Sequence, residues 1–99
     1  MTIRKMARYT IRASEIETVR KAIAQFVNDI EDNEPATLYE AFALADKVSF
    51  VHTMCFADAD AEQYHRGAPH TKRFVEVLYP RCETAPEFID LNPVASTSG

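Results

Sequence analysis

The sequence predicts an α+β fold in which helices cover one face of a single four-stranded antiparallel sheet. Segments that alternate apolar and polar residues, as strands do, are interrupted by segments with helical periodicity. Their order along the chain is β, α, β, β, α, β, and a short polar turn joins the two middle strands. This order is typical of the ferredoxin-like arrangement.

The first strand and the first helix differ in their periodicity. Residues 3–12 alternate, and the apolar residues of one face are Ile3, Ala7, Tyr9 and Ile11. A helix follows, because apolar residues then recur every three or four positions: Ile16, Val19, Ile23, Phe26, Val27 and Ile30. Ser14 and Glu17 have the spacing of a capping box at its start. The helix is predicted to end near Asn33, before Pro35.

Two strands that form an antiparallel hairpin are predicted next. Residues 37–45 and 48–56 both have strand character, and Asp46 and Lys47 form the tight polar turn between them. The loop is too short for any connection other than a hairpin.

The second helical region is predicted to be broken into two pieces. Asp58 is a suitable N-cap for a helix that runs to Arg66 and ends at Gly67. A second piece starts after Pro69 and continues to Pro80.

The last strand is predicted at residues 87–94. The chain is therefore interpreted as one domain, residues 1–99, in which residues 94–99 form a C-terminal tail. Its length is close to the commonest size of a domain and suffices for one hydrophobic core.

A sheet covered on one side leaves a second face that must also be accounted for. Two assignments of this face are open: Tyr39, Ala41 and Ala43 with Val51 and Cys55, or Phe42 and Leu44 with Phe50 and Met54. Either set is too apolar to remain in water as one patch. The sequence therefore predicts a homodimer in which this face is covered.

Composition and charge argue against several classes of partner. The formal net charge is −4 and the basic residues are dispersed, so a nucleic-acid partner is not expected. No apolar run approaches the roughly 20 residues of a membrane span. Cys55 and Cys82 lack metal-type spacing, and no signal peptide is recognisable, so we expect reduced thiols in a cytoplasmic protein.

His52 is a titratable residue in the middle of an apolar strand. By the period of two it shares a face with Phe50 and Met54. Such surroundings disfavour the imidazolium ion and lower the pKa of His52. A neutral imidazole there can act as a general base. The alternative is a core histidine that is hydrogen-bonded to a backbone carbonyl or a tyrosine.

Further candidate residues lie in the broken helix. Tyr64 and His65 combine a polar tip with a body that can pack, which suits the wall of a pocket. The alternative is that one of them is a surface residue at a frayed helix end. His70 follows the break between the two pieces and has a helix cap as its alternative role.

Neither a metal nor an organic cofactor is expected. Three histidines can hold zinc or iron, but His52, His65 and His70 include no pair with i, i+4 spacing on one continuous helix. Gly67 and Pro69 separate the last two. The chain has only two glycines and therefore no glycine-rich phosphate loop.

Several short motifs occur in an order and spacing that resemble a known family. They are NEPATLYE at 33–40, SFVH at 49–52, FAD at 56–58, Ala61-x-x-x-His65, HTKRF at 70–74 and PEF at 86–88. Together they resemble the antibiotic biosynthesis monooxygenase domain from about Met6 to Val94. The resemblance implies a dimeric α+β barrel and the cofactor-independent oxidation of quinols or polycyclic phenols by molecular oxygen.

The resemblance also implies roles for the candidate residues. His52 or His65 would be the base, while Tyr39, Tyr64 or His70 would orient the substrate or stabilise charge. The pocket walls would come from Phe26, Phe42, Phe50, Met54 and Phe74. Two departures matter: Ala36 replaces a glycine that is common at the hairpin entry, and the chain has no tryptophan, which argues against the haem-degrading activity of this superfamily.

Two other functions remain open because a fold does not determine a function. One is an isomerase or other proton-transfer enzyme that acts on a small carbonyl metabolite. The other is a non-catalytic homodimer that binds a small ligand or a partner protein. An aromatic-lined cavity that reaches His52 and His65 would favour the monooxygenase, a small polar cavity the isomerase, and a filled core the non-catalytic dimer.

Overall fold

The computed structural model describes residues 1–97, so Ser98 and Gly99 of the predicted tail lie outside the described residues. The strands and α-helices are β1 (Ile3–Thr10), α1 (Ile16–Asn33), β2 (Leu38–Ala43), β3 (Ser49–Phe56), α2 (Ala59–Gly67), α3 (Pro69–Leu78) and β4 (Glu87–Leu91). All strand pairs are antiparallel and the order in the sheet is β2-β3-β1-β4. The predicted α+β, ferredoxin-like fold is confirmed.

The start of α1 differs from the prediction. A short 3-10 helix, Ala13–Glu15, precedes α1, and no side chain caps either helix, so the predicted capping box of Ser14 and Glu17 is wrong. Glu15 instead accepts a hydrogen bond at 3.0 Å from Nε of Arg81. This ion pair attaches the entry of α1 to the segment that follows α3.

The turn between β2 and β3 is held by the side chain of Asp46. Its carboxylate accepts hydrogen bonds from the backbone N–H groups of Val48, at 3.0 Å, and Ser49, at 2.8 Å. The Ser49 hydroxyl donates a third, which is the main reason that the pKa of Asp46 is lowered. Lys47 takes up the positive φ of 66° that the turn needs.

The two helix-forming pieces after β3 lie where the sequence predicts them. The carboxylate of Asp58 accepts a hydrogen bond at 2.9 Å from the backbone N–H of Ala61, which makes Asp58 the N-cap of α2. Pro69 is at the first position of α3, where its missing N–H costs no hydrogen bond. The β4 strand ends at Leu91, three residues before the predicted end.

The core lies between the sheet and the helices. Alternate residues of β3 are buried, and they face buried residues of β1, α1 and α3; the larger buried side chains are Tyr9, Ile11, Val19, Phe26, Ile30, Phe50, Phe56, Phe74 and Leu78. Full burial of an apolar side chain of this size contributes about 1.5–3 kcal/mol. The elements that carry the candidate site are therefore fixed by the same core.

The face of the sheet that points away from the helices is composed differently from both predicted assignments. In the β2–β3 register, Leu38 is opposite Cys55 and Phe42 is opposite Val51. Opposite residues of an antiparallel pair share a face, so each predicted set combined residues from both faces. Leu38 and Phe42 are 72% and 48% exposed on this outer face.

No helix within residues 1–97 is both long enough and apolar enough for a bilayer span.

Candidate active site

A cavity of about 430 Å³ lies between the inner face of the sheet and helices α1, α2 and α3. Its walls are mainly aromatic: Tyr9, Phe26, Tyr39, Phe56, Phe74 and Phe88. His52 and His65 both reach it, the first from β3 and the second from α2. A mostly apolar concave site with few polar groups is the usual form of a small-molecule site.

His52 lies between two tyrosines. Its Nε2 atom is 2.6 Å from the hydroxyl of Tyr9, and its Nδ1 atom is 2.6 Å from the hydroxyl of Tyr39. The sheet register produces this arrangement, because Ala7 of β1 and Ala41 of β2 are the direct partners of His52. Two small neighbours leave room for the tyrosine rings beside the imidazole.

Burial sets the charge of this group. It lowers the pKa of His52 to about 4, in the direction that the sequence predicts. It also raises the pKa of Tyr9 and of Tyr39. All three side chains are therefore neutral near pH 7, and both ring nitrogens of His52 already have hydrogen-bond partners. A role of His52 as a free base is not supported by this geometry.

A second polar group surrounds Glu34, whose side chain is only 2% exposed. Its Oε2 atom is 2.9 Å from Nδ1 of His65 and 2.6 Å from Nε2 of His70. Glu34 follows the last turn of α1, while the two histidines come from α2 and α3. Hydrogen bonds to this carboxylate thus connect the end of α1 with α2 and α3.

The carboxylate fixes the hydrogen positions of both imidazoles. An ionised carboxylate can only accept hydrogen bonds, so His65 donates from Nδ1 and His70 donates from Nε2. The lone pair of His65 is then on Nε2. Nε2 has no hydrogen-bond partner within residues 1–97, and His65 contributes to the cavity wall. His65 therefore combines a free basic nitrogen with a carboxylate behind it.

The described residues whose atoms could hold a metal ion are not the three histidines that the sequence analysis considered and set aside. One ligand atom from each of Glu34, His65 and His70 lies within 4.8 Å of the others, and all three residues are buried. Two histidines and a carboxylate are a suitable ligand set for iron or zinc. The same atoms are already joined by direct hydrogen bonds, and His52 belongs to the separate tyrosine group.

Thr71 lines the cavity, but its hydroxyl is fully buried. Within the described part of the chain, its Oγ1 is the one fully buried side-chain oxygen or nitrogen without a hydrogen-bond partner. An unpaired buried hydroxyl costs about 1–3 kcal/mol.

Charged side chains also reach the cavity wall. Lys5 of β1 forms an ion pair with Glu62 of α2, and Arg66 approaches the same carboxylate at 3.3 Å. The Lys5 and Glu62 side chains are 20% and 16% exposed, so this pair is largely sheltered from solvent.

The residues that the sequence and the resemblance predict for the site fall into two groups. Those on the cavity wall are Tyr39, His52, Met54, His65, Phe26 and Phe74. Those away from it are Phe42, on the outer face, Phe50, in the core, and His70, which is buried against Glu34. Tyr64 is also away from the cavity and is 53% exposed. Successive residues of a helix point in different directions around its axis, so Tyr64 does not share the direction of His65. A direct substrate contact by Tyr64 or His70 is not supported by these positions.

Sequence reasoning missed Glu34 and Tyr9 as site residues. Glu34 is four positions after Ile30, so it continues the apolar stripe of α1. An acidic residue on a buried stripe is the sequence signal that could have identified Glu34 as a site residue. Periodicity places Tyr9 on the buried face of β1 but does not connect it with His52. That link needs the β1–β3 register.

Sequence comparison finds no match among protein-family models or curated proteins. Solved structures do match. A structure described as an antibiotic biosynthesis monooxygenase has a TM-score of 0.85 at 21% identity, over 96% of this chain and 100% of that one. The protein Rv0793 from Mycobacterium tuberculosis has a TM-score of 0.88 at 18% identity, over 99% of this chain and 100% of that one.

A conserved protein from Methanosarcina mazei Go1 also matches, with a TM-score of 0.84 at 12% identity, over 92% of this chain and 91% of that one. Identities this low establish the fold alone. The chain therefore has the fold of the antibiotic biosynthesis monooxygenase structures that it resembles, over nearly its full described length.

Proposed function

We propose that this protein is a cofactor-independent monooxygenase that oxidises a quinol or a polycyclic phenol with molecular oxygen. The observation that carries the proposal is the aromatic cavity of about 430 Å³ that reaches both His52 and His65. A filled core around these histidines would have favoured a non-catalytic dimer. The wall surface is mostly apolar and its charged side chains are paired with one another, which argues against an isomerase site for a small carbonyl metabolite.

His65 is the general base in this proposal. Its Nε2 lone pair is free, and the Glu34 carboxylate at Nδ1 stabilises the imidazolium ion that forms when the base takes a proton. Within residues 1–97, both nitrogens of His52 are hydrogen-bonded to tyrosines and neither has a carboxylate partner. Of the two histidines, only His65 can both accept a substrate proton and keep it in a buried site.

The chemistry follows from removing a proton in a dry cavity. Loss of a phenolic or ring-bound proton to His65 leaves an electron-rich anion, which can reduce molecular oxygen. For a ring CH₂ group, one oxygen atom of O₂ becomes the new carbonyl oxygen and the other leaves as water with the two hydrogens. The aromatic walls hold the planar substrate and exclude water from the reactive anion.

A homodimer is part of the proposal. The outer face of the sheet exposes apolar side chains, including Leu38, Phe42 and Leu91, and no element of the described part of the chain covers it. An apolar surface of this kind is most simply covered by the same face of a second copy. The two sheets would then pack face to face, as the resemblance to the dimeric α+β barrel implies.

Oxygen uptake by the purified protein tests the proposed activity. A panel of quinols and anthrone-like phenols is compared for the wild-type protein, His65→Gln and His52→Gln. We expect uptake above the uncatalysed background that is lost in His65→Gln. No uptake with any member of the panel would contradict the monooxygenase and favour the isomerase or ligand-binding functions.

A further inference from the structure

Tyr9, His52 and Tyr39 form a chain of two short hydrogen bonds on the cavity wall, with His52 in the middle. Each tyrosine hydroxyl carries one hydrogen, and a neutral imidazole carries one more on its nitrogens. The group therefore holds three hydrogens but has only two hydrogen bonds to fill. One hydrogen is always left over.

The tautomer of His52 decides where this hydrogen lies. When Nδ1 carries the imidazole hydrogen, it donates to Tyr39, Tyr9 donates to Nε2, and the hydroxyl hydrogen of Tyr39 is left over. When Nε2 carries it, the two tyrosines exchange roles. Interconversion moves one hydrogen along each bond and also passes the leftover hydrogen from one tyrosine to the other through the cavity, so that both states are neutral.

The leftover hydrogen needs an acceptor. Burial keeps His52 and both tyrosines neutral, since it lowers the pKa of His52 and raises those of Tyr9 and Tyr39. Neither hydroxyl has another hydrogen-bond partner within residues 1–97. A buried donor without an acceptor is costly, and both tyrosines line the cavity. The acceptor must therefore come from whatever the cavity binds.

We propose that Tyr9, His52 and Tyr39 form a switchable hydrogen-bond donor for an anionic oxygen of the ligand, and that the tautomer of His52 selects which tyrosine donates. The inference rests on the proposed function for the source of that oxygen, a phenolate or enolate formed when His65 takes a proton. Donors placed at a developing oxyanion are commonly the largest electrostatic contribution to catalysis. Tyr9 and Tyr39 are then catalytic residues, and His52 is a positioning residue.

The first test reads the tautomer of His52 from its imidazole nitrogen chemical shifts, without substrate. A phenol is a stronger acid than a neutral imidazole, and the imidazole nitrogen is the stronger acceptor, so a single remaining tyrosine donates to His52. Tyr9→Phe should therefore place the imidazole hydrogen on Nε2, and Tyr39→Phe should place it on Nδ1. The same tautomer in both folded variants would overturn the proposal.

The second test measures binding of 4-nitrophenolate, with 4-nitroanisole as the matched ligand that has no oxyanion. Both are electron-poor and resist oxidation, so the result does not depend on oxygen chemistry. Each tyrosine variant should weaken 4-nitrophenolate binding by about 10- to 100-fold and leave 4-nitroanisole binding unchanged. The variant that lacks both tyrosine hydroxyls should bind 4-nitrophenolate only slightly more weakly than either single variant. In each single variant, the remaining tyrosine already donates its hydrogen to His52 and not to the ligand.

Lys5 is the competing partner for an anion in this cavity. Lys5→Met should retain the preference for 4-nitrophenolate over 4-nitroanisole. The proposal is overturned if the wild-type protein shows no such preference, or if the preference is lost in Lys5→Met and kept in both tyrosine variants. Absence of oxygen uptake with every substrate would contradict the proposed function and would leave both of these tests decisive.

Discussion

His65 lines the cavity and donates a hydrogen bond from Nδ1 to the buried carboxylate of Glu34, 2.9 Å away, while its Nε2 has no hydrogen-bond partner among the described residues. This relationship distinguishes the two histidines that the sequence predicts as candidate bases. His52 is more deeply buried and has both nitrogens hydrogen-bonded to tyrosines. The base is therefore expected to be His65 on α2, while His52 on β3 is hydrogen-bonded between Tyr9 and Tyr39.

We expect His65→Gln to lower the rate of oxygen uptake by about 10²- to 10⁴-fold, the usual contribution of a general base. His70→Gln is the matched control, because His70 shares the Glu34 carboxylate but does not line the cavity. It should retain most of the activity if it remains folded. Steady-state kinetics and thermal unfolding of the two variants make the comparison, and equal losses of activity would contradict the assignment.

Glu34→Gln is expected to reduce kcat by about 10- to 100-fold, as part of the general-base contribution. An amide oxygen at the position of Oε2 can still accept from both imidazoles, so mainly the negative charge is lost. Without that charge, the imidazolium ion of His65 is less stable and the base is weaker. The pH profile of kcat should move with the variant, and an unchanged profile at unchanged kcat would show that the carboxylate is only structural.

Thr71→Val should leave the stability of the fold unchanged or slightly increased. The hydroxyl of Thr71 has no partner within the described residues, so its removal breaks no internal hydrogen bond. Urea unfolding of this variant and of Thr71→Ser, which keeps the hydroxyl, makes the comparison. A marked loss of stability in Thr71→Val alone would argue that the hydroxyl has a structural role.

The stability of the fold should decrease as the pH falls from about 6.5 to about 4, in part because of His52. The unfolded residue binds a proton below its ordinary pKa of 6.5, whereas the folded residue does so only below about 4. The unfolded state therefore takes up more protons than the folded state as the pH falls through this window. The free energy of unfolding decreases by up to roughly 3 kcal/mol as a result.

Urea unfolding of the wild-type protein and His52→Gln over this pH range isolates the contribution of His52 from those of the carboxylates. The variant should be less stable at pH 7 and should depend less steeply on pH. Parallel curves for the two proteins would show that His52 does not cause the pH dependence.

Phe42→Glu should weaken the proposed homodimer by about tenfold or more, because it replaces an exposed apolar side chain of the outer sheet face with a charge. The side chain is outside the core, so the monomer should stay folded. Tyr64→Glu is a matched control on α2, where an exposed aromatic side chain is also replaced by a carboxylate. Light scattering after gel filtration reports the masses, and a dimer that survives Phe42→Glu would exclude this face as the interface.

Local pattern was sufficient for the elements of the fold. The stripe that includes Val19, Phe26 and Ile30 predicts α1, and the alternation around His52 predicts β3 with its inner face. Asp58 and Pro69 mark the helix starts through local hydrogen bonding and backbone geometry. The capping box predicted at the start of α1 is wrong, and the ion pair of Glu15 with Arg81 that is found there has no local sequence signal.

The composition of the two sheet faces depends on register, which the period of two leaves open between neighbouring strands. Only the pairing of Leu38 with Cys55 and of Phe42 with Val51 assigns the outer face. The same limit applies to the tyrosines: Tyr9 and Tyr39 are far apart in sequence and meet at His52 through pairings on both sides of β3.

By itself, the sequence determined the element order, the ferredoxin-like class, the burial of His52 and its lowered pKa, since these follow from local periodicity and from the apolar neighbours of one strand. The tertiary structure alone decided which nitrogen is free. Glu34 reaches His65 and His70 from a third helix, and two tyrosines enclose His52. Hydrogen bonding is directional and acts over about 3 Å, so it depends on packing that no local pattern encodes.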